Sequence, residues 1–88
     1  MAGGSGSDRP AWWDWELVVT SHAESRMEER GFSEVELRSM IERAVRVEPG
    51  RGRGRWVVRT RHAGRPWTVV VEPDTELRIV AVVTAYPG

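Results

Sequence analysis

Alternating apolar residues predict β-strands at the start and in the second half of the chain. Trp15, Leu17 and Val19 fall on one side of a short first strand, for which an irregular arm held by tryptophans is the alternative. The second half reads as a meander of three strands, residues 55–61, 66–72 and 77–86. Ala63-Gly64 separates the first two strands, and a turn at residues 73–76 separates the last two.

Two helices are predicted between the first strand and the meander. Ser21 and Glu24 fit a capping box at the start of the first helix, and Gly31 fits the left-handed residue that follows its end. A second capping box, Ser33 with Glu36, starts the next helix, which is expected to end near Val47. That helix has apolar residues at helical spacing, namely Val35, Leu37, Met40, Ile41, Ala44 and Val45.

The predicted order of elements is β-α-α-β-β-β, an α+β fold with two N-terminal helices on one face of a small antiparallel sheet. Residues 1–11, which include a Gly/Ser-rich stretch, are expected to form a flexible tail. Residues 12–88 are expected to form a single domain, because a chain of 88 residues has room for one modest core.

Register predicts two different faces for the sheet. If Ala63-Gly64 is a two-residue turn, Trp67 lies opposite Thr60, and further pairs join Val69 to Val58 and Val71 to Trp56. This core face is expected to pack against Met40, Ile41 and Val45, and to include Leu77, Ile79, Ala81 and Val83 of the last strand. The opposite face would carry Arg55, Val57, Arg59, Arg61, Thr68, Val70, Arg78, Val80, Val82, Thr84 and Tyr86. Such a face is either a solvated sheet surface or a binding surface of valines rimmed by charge.

Composition excludes several kinds of site. The chain has no cysteine and two distant histidines, His22 and His62, so disulfides and thiolate zinc sites are excluded and no metal or other cofactor is expected. No apolar run approaches the roughly 18–20 residues that a membrane span needs, and no signal peptide is visible, so we expect a cytoplasmic location.

Charge is unevenly distributed, although the net charge is zero. Residues 1–48 hold six arginines and ten acidic residues, whereas residues 49–88 hold seven arginines and three acidic residues. All 13 basic residues are arginine, whose planar donor fork suits phosphate. Between Gly50 and Pro66 the chain has no acidic residue and contains Arg51, Arg53, Arg55, Arg59, Arg61 and Arg65. This block is either a polyanion-binding region that grips RNA or a solvated loop and strand surface.

His22 and Arg26 form a candidate catalytic pair. They are four residues apart on the first predicted helix and therefore lie on the same side of it. A histidine can exchange a proton near neutral pH, and an arginine one turn away can stabilise the charge of a phosphate in a transition state. The alternative is a histidine that merely borders the core or caps the helix.

Three stretches of sequence resemble a bacterial family known as domain of unknown function four-two-five-eight. They are the string from Ser21 to Ser33 (SHAESRMEERGFS), the Arg-rich strand with its Gly-Arg turn and Val-Val-Val, and the ending from Val82 to Pro87 (VVTAYP). The family resembles the RelE, ParE and BrnT toxins and, more distantly, the barnase–EndoU–colicin–RelE nuclease fold. The resemblance covers roughly residues 16–87 and implies a RelE-like fold.

The resemblance also implies a reaction. Nucleases of this broad group cut RNA without metal by driving the 2′-hydroxyl onto the adjacent phosphate. Carried over to this chain, His22 would be the base or acid, Arg26 and Arg59 would bind phosphate, and Thr84 and Tyr86 would position it. A toxin of this kind would act on RNA and be held by a cognate antitoxin or immunity protein. The alternatives are a non-catalytic module that binds protein or RNA, and a ParE-like inhibitor of a larger enzyme.

Overall fold

The computed structural model describes residues 10–88, which form a short 3-10 helix, two α-helices and a five-stranded sheet. The elements in chain order are the 3-10 helix (Ala11–Asp14), β1 (Glu16–Val19), α1 (Ser21–Arg30), α2 (Glu34–Glu42), β2 (Arg46–Pro49), β3 (Trp56–His62), β4 (Arg65–Asp74) and β5 (Ile79–Pro87). The predicted α+β class is therefore confirmed. The predicted tail lies outside the described residues, except for Pro10 and Ala11, which lead into the 3-10 helix.

The sheet has the strand order β1-β5-β4-β3-β2 and is mixed, whereas a wholly antiparallel sheet was predicted. The β3-β4-β5 meander and β2 are antiparallel to their neighbours, but β1 pairs with β5 in parallel. Thr20, directly after β1, fixes this junction, because its backbone N–H and its Oγ1 both donate to the carbonyl of Val82, at 3.3 and 2.7 Å. The first turn of α1 therefore starts beside Val82 of β5.

The hairpin between β3 and β4 has the predicted register. Ala63 and Gly64 adopt φ values of 52° and 78°, the positive values that a tight two-residue hairpin turn requires. Trp67 consequently pairs with Thr60, and the next core-facing pairs join Val69 to Val58 and Val71 to Trp56. Val58, Val69 and Val71 are buried as expected.

The predicted faces of β5 are wrong along its first half. Val70 pairs with Thr84, and Val71 pairs with Val82, so Val83 is an extra residue that forms a β-bulge. The extra residue shifts the alternation by one position, which puts Val80 and Val82 in the core beside α1. Leu77 is exposed, and Ile79, Ala81 and Val83 are only half-buried. Thr84 and Tyr86 keep the predicted position opposite the helices.

The second helix is shorter than predicted, and an additional strand follows it. The helix ends at Glu42, and residues 46–49 form β2, paired with β3. The backbone N–H of Val45 donates to the carbonyl of Arg59 at 2.7 Å, so pairing with β3 begins where helix was predicted. Val45 is 72% exposed and does not pack against Trp56 as expected. Val45 and Val47 are β-branched residues, which favour a paired strand over a helix.

Caps and apolar faces explain where the helices lie. Thr20, one residue before the predicted cap, accepts a hydrogen bond from the N–H of Ala23 through its Oγ1, and Gly31 ends α1 at a φ of 75°. The capping box of α2 forms as predicted between Ser33 and Glu36. The buried residues of the two helices, which pack on the sheet, are Ala23, Met27, Leu37 and Met40.

Neither described α-helix is long and apolar enough to cross a membrane.

The tryptophans before β1 close one end of the core. Trp12 is buried, and its ring lies 5.6 Å from that of Trp56, centroid to centroid. Trp13 and Trp15 are half-buried and pack against the same core. Trp12 thus extends the small core beside the start of β3.

We expect two leucines of the predicted apolar faces, one buried and one exposed in the structure, to have unequal effects on stability. Leu37→Ala should lower the free energy of unfolding by roughly 2–5 kcal/mol, because it leaves a cavity in the core. Leu77→Ala removes the same atoms from a side chain that is 68% exposed and should change it by less than about 0.5 kcal/mol. Urea denaturation measures both. Equal losses would contradict the exposed position of Leu77 in the turn before β5.

Candidate nucleic-acid interface

Within the described residues, no helix covers the face of the sheet opposite α1 and α2, which we call the open face. Strand pairing places two neighbouring rows of side chains on it. One row consists of Arg46, Arg59, Thr68 and Tyr86, and the other of Glu48, Val57, Val70 and Thr84. Each row crosses four strands, from β2 to β5. The open face therefore combines cations, hydroxyl groups and an apolar strip on a rigid scaffold.

Arg59 is held in a fixed position at the centre of this face. Its Nε donates to Glu48 Oε2 at 3.1 Å, and its Nη1 donates to Thr68 Oγ1 at 2.9 Å. Thr68 is fully buried, and its hydroxyl donates in turn to the carbonyl of Gly88 at 2.7 Å. The Arg59 side chain is still about half exposed, so part of its guanidinium remains open to a ligand.

A shallow cavity lies beside Arg59, between β2, the loop that follows it and the open face. Its volume is about 490 Å³, within the range of small-ligand sites. The residues that line it are Glu48, Pro49, Gly50, Arg51, Arg55, Val57, Arg59, Val70 and Tyr86. Three arginines and one glutamate give the lining an excess of positive charge. An anion with an apolar or aromatic portion matches this combination of cations, valines and a tyrosine ring.

Two residues of this region, Arg46 and Glu48, were missed by the sequence analysis. Arg46 fell inside the predicted end of the second helix, and Glu48 fell just after it, so neither was placed on a strand. In the structure they lie on β2, and Arg46 Nη1 is 4.0 Å from Glu48 Oε1. The alternation from Val45 to Glu48 was the available signal, but it was too short to outweigh the helical stripe before it.

The predicted RNA-binding arginines surround the cavity unevenly. Arg51, Arg53 and Arg55 belong to the β2–β3 loop and are exposed, and of these Arg51 and Arg55 line the cavity. Arg55 Nε also lies 3.4 Å from Glu72 Oε1 on β4. Arg61 is exposed on β3, two residues beyond Arg59, and Arg65 is exposed where β4 begins. All five lie in or beside β3, the loop before it and the hairpin after it.

The turn between β4 and β5 has the opposite charge. Glu72, Asp74 and Glu76 line a second shallow depression there, together with Ile79 and Ala81. A polyanion on the open face would be repelled from this end and attracted to the part of the face near β2 and β3. The charge distribution therefore makes the part of the open face near β2 and β3 the more favourable place for an anion.

His22 and Arg26 lie in the helix layer, away from the Arg59 cavity. His22 is exposed in the first turn of α1, which starts beside β5 near Val82, and it forms no hydrogen bond or ion pair with the described residues. Arg26 is exposed and paired with Glu29, Nη1 to Oε1 at 3.2 Å. Neither residue lines the cavity. The structure thus groups Arg59 and Tyr86 at one place on the open face, with Thr84 in the adjacent row, and leaves His22 and Arg26 apart from them.

The second histidine belongs to an aromatic cluster. His62 is half-buried, and its ring centroid lies 5.3 Å from that of Phe32 and 5.7 Å from that of Trp67. It therefore joins the turn between the helices to the β3–β4 hairpin. Among residues 10–88, no three His, Asp or Glu side chains are grouped so that they could hold a metal ion.

Comparison with known proteins identifies a family. No curated protein sequence and no solved structure matches the chain significantly. A family model described as Domain of unknown function (DUF4258) matches residues 19–87. The match includes both helices, β2 to β5 and every residue of the Arg59 cavity, whereas the tryptophans of residues 12–15 precede it. Because the match extends over most of its length, the chain belongs to this family.

Proposed function

We propose that the chain is a metal-independent endoribonuclease of a toxin system, and that RNA binds along its open face. The observation that carries the proposal is the fixed, half-exposed guanidinium of Arg59 beside a cavity with an excess of arginine. Stabilisation of a phosphate in a transition state requires a donor whose position is set before the substrate binds. Arg59 meets that requirement, because Glu48 and Thr68 already hold two of its nitrogens.

Several features of the face favour a nucleic acid over a smaller anion. The exposed arginines of the loop and the hairpin extend the positive surface on both sides of Arg59. Tyr86 is 42% exposed in the cavity, where its ring can stack on a base. Single-stranded RNA needs both a basic track for its backbone and an aromatic platform for its bases, and this face supplies both.

The proposed reaction uses only the groups of RNA and of the protein. The 2′-hydroxyl loses its proton and attacks the adjacent phosphorus, the bond to the 5′-oxygen breaks, and the 5′-oxygen leaves with a proton. The products are a 2′,3′-cyclic phosphate and a free 5′-hydroxyl. Arg59 holds the phosphate oxygens, and Thr84 and Tyr86 orient the substrate. His22 is the candidate for proton transfer that the sequence supplies, and Arg26 would have to leave Glu29 before it could bind phosphate.

A second function, RNA binding without cleavage, is favoured by one feature of the structure. Both arginines expected to bind phosphate, Arg26 and Arg59, are engaged by carboxylates, and within residues 10–88 no partner orients the ring of His22. A module that only binds RNA needs no oriented proton donor or acceptor. The cleavage test below separates the two functions.

The proposed toxin would act in the cytoplasm and be neutralised by an antitoxin or immunity protein. The arginines of the open face would be attractive to an acidic segment of such a protein, which would exclude RNA by occupying the same surface. An acidic partner that leaves RNA binding unchanged would contradict this arrangement.

The Arg59 assignment predicts a large loss of cleavage with a small loss of binding. Arg59→Ala should slow the single-turnover cleavage of bound RNA by about 100-fold or more in buffer with EDTA, because the phosphate loses its preorganised donor. Arg43→Ala removes the same charge from the exposed end of α2 and should cleave like the wild type. Cleavage that needs Mg²⁺, or RNA that is bound but never cut by the wild type, would contradict the proposed reaction.

The same experiment should include Arg26→Ala, which tests whether Arg26 also binds phosphate. If Arg26 leaves Glu29 and binds phosphate, its variant should be as slow as the Arg59 variant. Normal cleavage by Arg26→Ala together with slow cleavage by Arg59→Ala would assign the phosphate to the open face alone.

The loop arginines should contribute attraction that depends on salt. Replacing Arg51 and Arg53 by alanine should weaken RNA binding and reduce the slope of log K against log salt concentration by about 1.4, at about 0.7 for each lost phosphate contact. The cleavage rate of bound RNA should stay close to that of the wild type. Fluorescence anisotropy over a range of salt concentrations measures the slope. Arg30→Ala with Arg43→Ala, which removes the same charge from the helix layer, is the control, and an equal effect of that pair would argue against a specific loop contact.

A further inference from the structure

We infer that Glu48 is the general base that takes the proton from the 2′-hydroxyl of RNA. This inference rests on the proposed ribonuclease function. Glu48 is the acidic residue of the Arg59 cavity, and its side chain is 35% exposed. It lies on β2, a strand that the sequence analysis did not anticipate. A carboxylate beside a phosphate-binding arginine is suited to act as a general base, because it lies close to the group that becomes the nucleophile.

The position of Glu48 is fixed by two arginines. Its Oε2 accepts from Arg59 Nε at 3.1 Å, and its Oε1 lies 4.0 Å from Arg46 Nη1. One carboxylate oxygen is thus tied to the arginine that would hold the phosphate. Among the residues that the structure describes, the other oxygen has one distant partner at the limit of an ion pair, and it is available to a ligand. A 2′-hydroxyl is joined to its phosphate through the same ribose, so a phosphate on Arg59 brings that hydroxyl close to Glu48.

The cavity also offers a proton donor for the leaving oxygen. Tyr86 lines the same cavity, and strand pairing places it in the row of Arg59, one strand beyond Thr68. In the reaction, Glu48 accepts the 2′-hydroxyl proton while the 2′-oxygen bonds to phosphorus. The bond between phosphorus and the 5′-oxygen breaks, and the phenol of Tyr86 gives its proton to that oxygen. Water afterwards returns a proton to Tyr86 and removes the one on Glu48, so the protein is unchanged.

His22 and Glu48 lie on opposite sides of the sheet and cannot share a phosphate. Glu48 and Tyr86 are three strands apart, on β2 and β5, but both line one cavity on the open face. His22 lies on α1, which packs on the other face, and it does not line that cavity. A base and an acid that act on one phosphate must both be within hydrogen-bond reach of it. Glu48 and Tyr86 can satisfy this requirement within one cavity, and Glu48 and His22 cannot.

The competing role for Glu48 is to position Arg59 without touching RNA. Glutamine separates the two roles, because the Oε1 of its amide can still accept from Arg59 Nε but the amide cannot take up a proton as a base. A general base therefore predicts that both Glu48→Gln and Glu48→Ala lose cleavage. A purely positioning role predicts that Glu48→Gln cleaves normally and that only Glu48→Ala is impaired.

The experiment measures single-turnover cleavage of a short RNA in EDTA by the full chain and by the Glu48→Gln, Glu48→Ala, Glu48→Asp, Glu42→Gln and His22→Ala variants. We expect Glu48→Gln and Glu48→Ala to be slower by about 100-fold or more. Glu48→Asp keeps a carboxylate and should retain more activity than either. Glu42→Gln removes a carboxylate from the exposed end of α2 and should cleave like the wild type, whereas His22→Ala tests the competing base on α1. Affinity for an RNA that carries a 2′-deoxy group at the cleaved position should not fall in Glu48→Gln, which shows that the variant is folded and keeps its binding face.

Three results would overturn the inference. Wild-type rates in Glu48→Gln would reduce Glu48 to a positioning residue. A large loss in His22→Ala with normal cleavage by Glu48→Gln would move the base to α1 and leave the ribonuclease function intact. Failure of the wild type to cut an RNA that it binds would reject the ribonuclease function itself, and the role of Glu48 with it.

Discussion

The extra residue in β5 is the constraint on which the arrangement of the open face depends. Val83 has no partner on β4, so the side chains before and after it alternate out of phase. Before the bulge, Val80 and Val82 face the helices, and after it Ala85 does. The bulge thus lets Val80 and Val82 enter the core while Thr84 and Tyr86 lie on the open face. Without the bulge, one half of β5 would expose its valines or bury its polar residues, at a cost in the hydrophobic free energy that holds so small a core together.

The ion pairs of the open face orient its arginines more than they stabilise the fold. Exposed ion pairs contribute about 0.2–1 kcal/mol each, and the pairs of Arg59 and Arg55 with glutamates are roughly half exposed. Stability comes mainly from the core below, where the valines of three strands meet Leu37 and Met40. Because the core and the arginine network occupy opposite sides of one sheet, charges of the network can be altered with little effect on folding.

The sequence predicted what local chemistry determines. Gly31 and the Ser33 capping box divide the two helices, and Ala63-Gly64 sets the register of the β3–β4 hairpin, because each depends on a few adjacent residues. The bulge at Val83 and the strand around Glu48 could not be predicted in this way. Both depend on pairing with a distant strand, β4 for Val83 and β3 for Glu48. The candidate site shows the same distinction. Arg59 and Tyr86 were predicted on the open face, whereas Glu48 was not placed there.

The central claim is that RNA binds to the open face, and mapping the interface in solution tests it most directly. An isotope-labelled protein can be titrated with a short 2′-O-methyl RNA, which lacks the attacking hydroxyl and is therefore not cut. We predict that the largest amide shift changes occur on β3, β4 and the second half of β5, around Arg59, Thr68 and Tyr86. Shift changes confined to α1, α2 and the tryptophans of residues 12–15 would contradict the account.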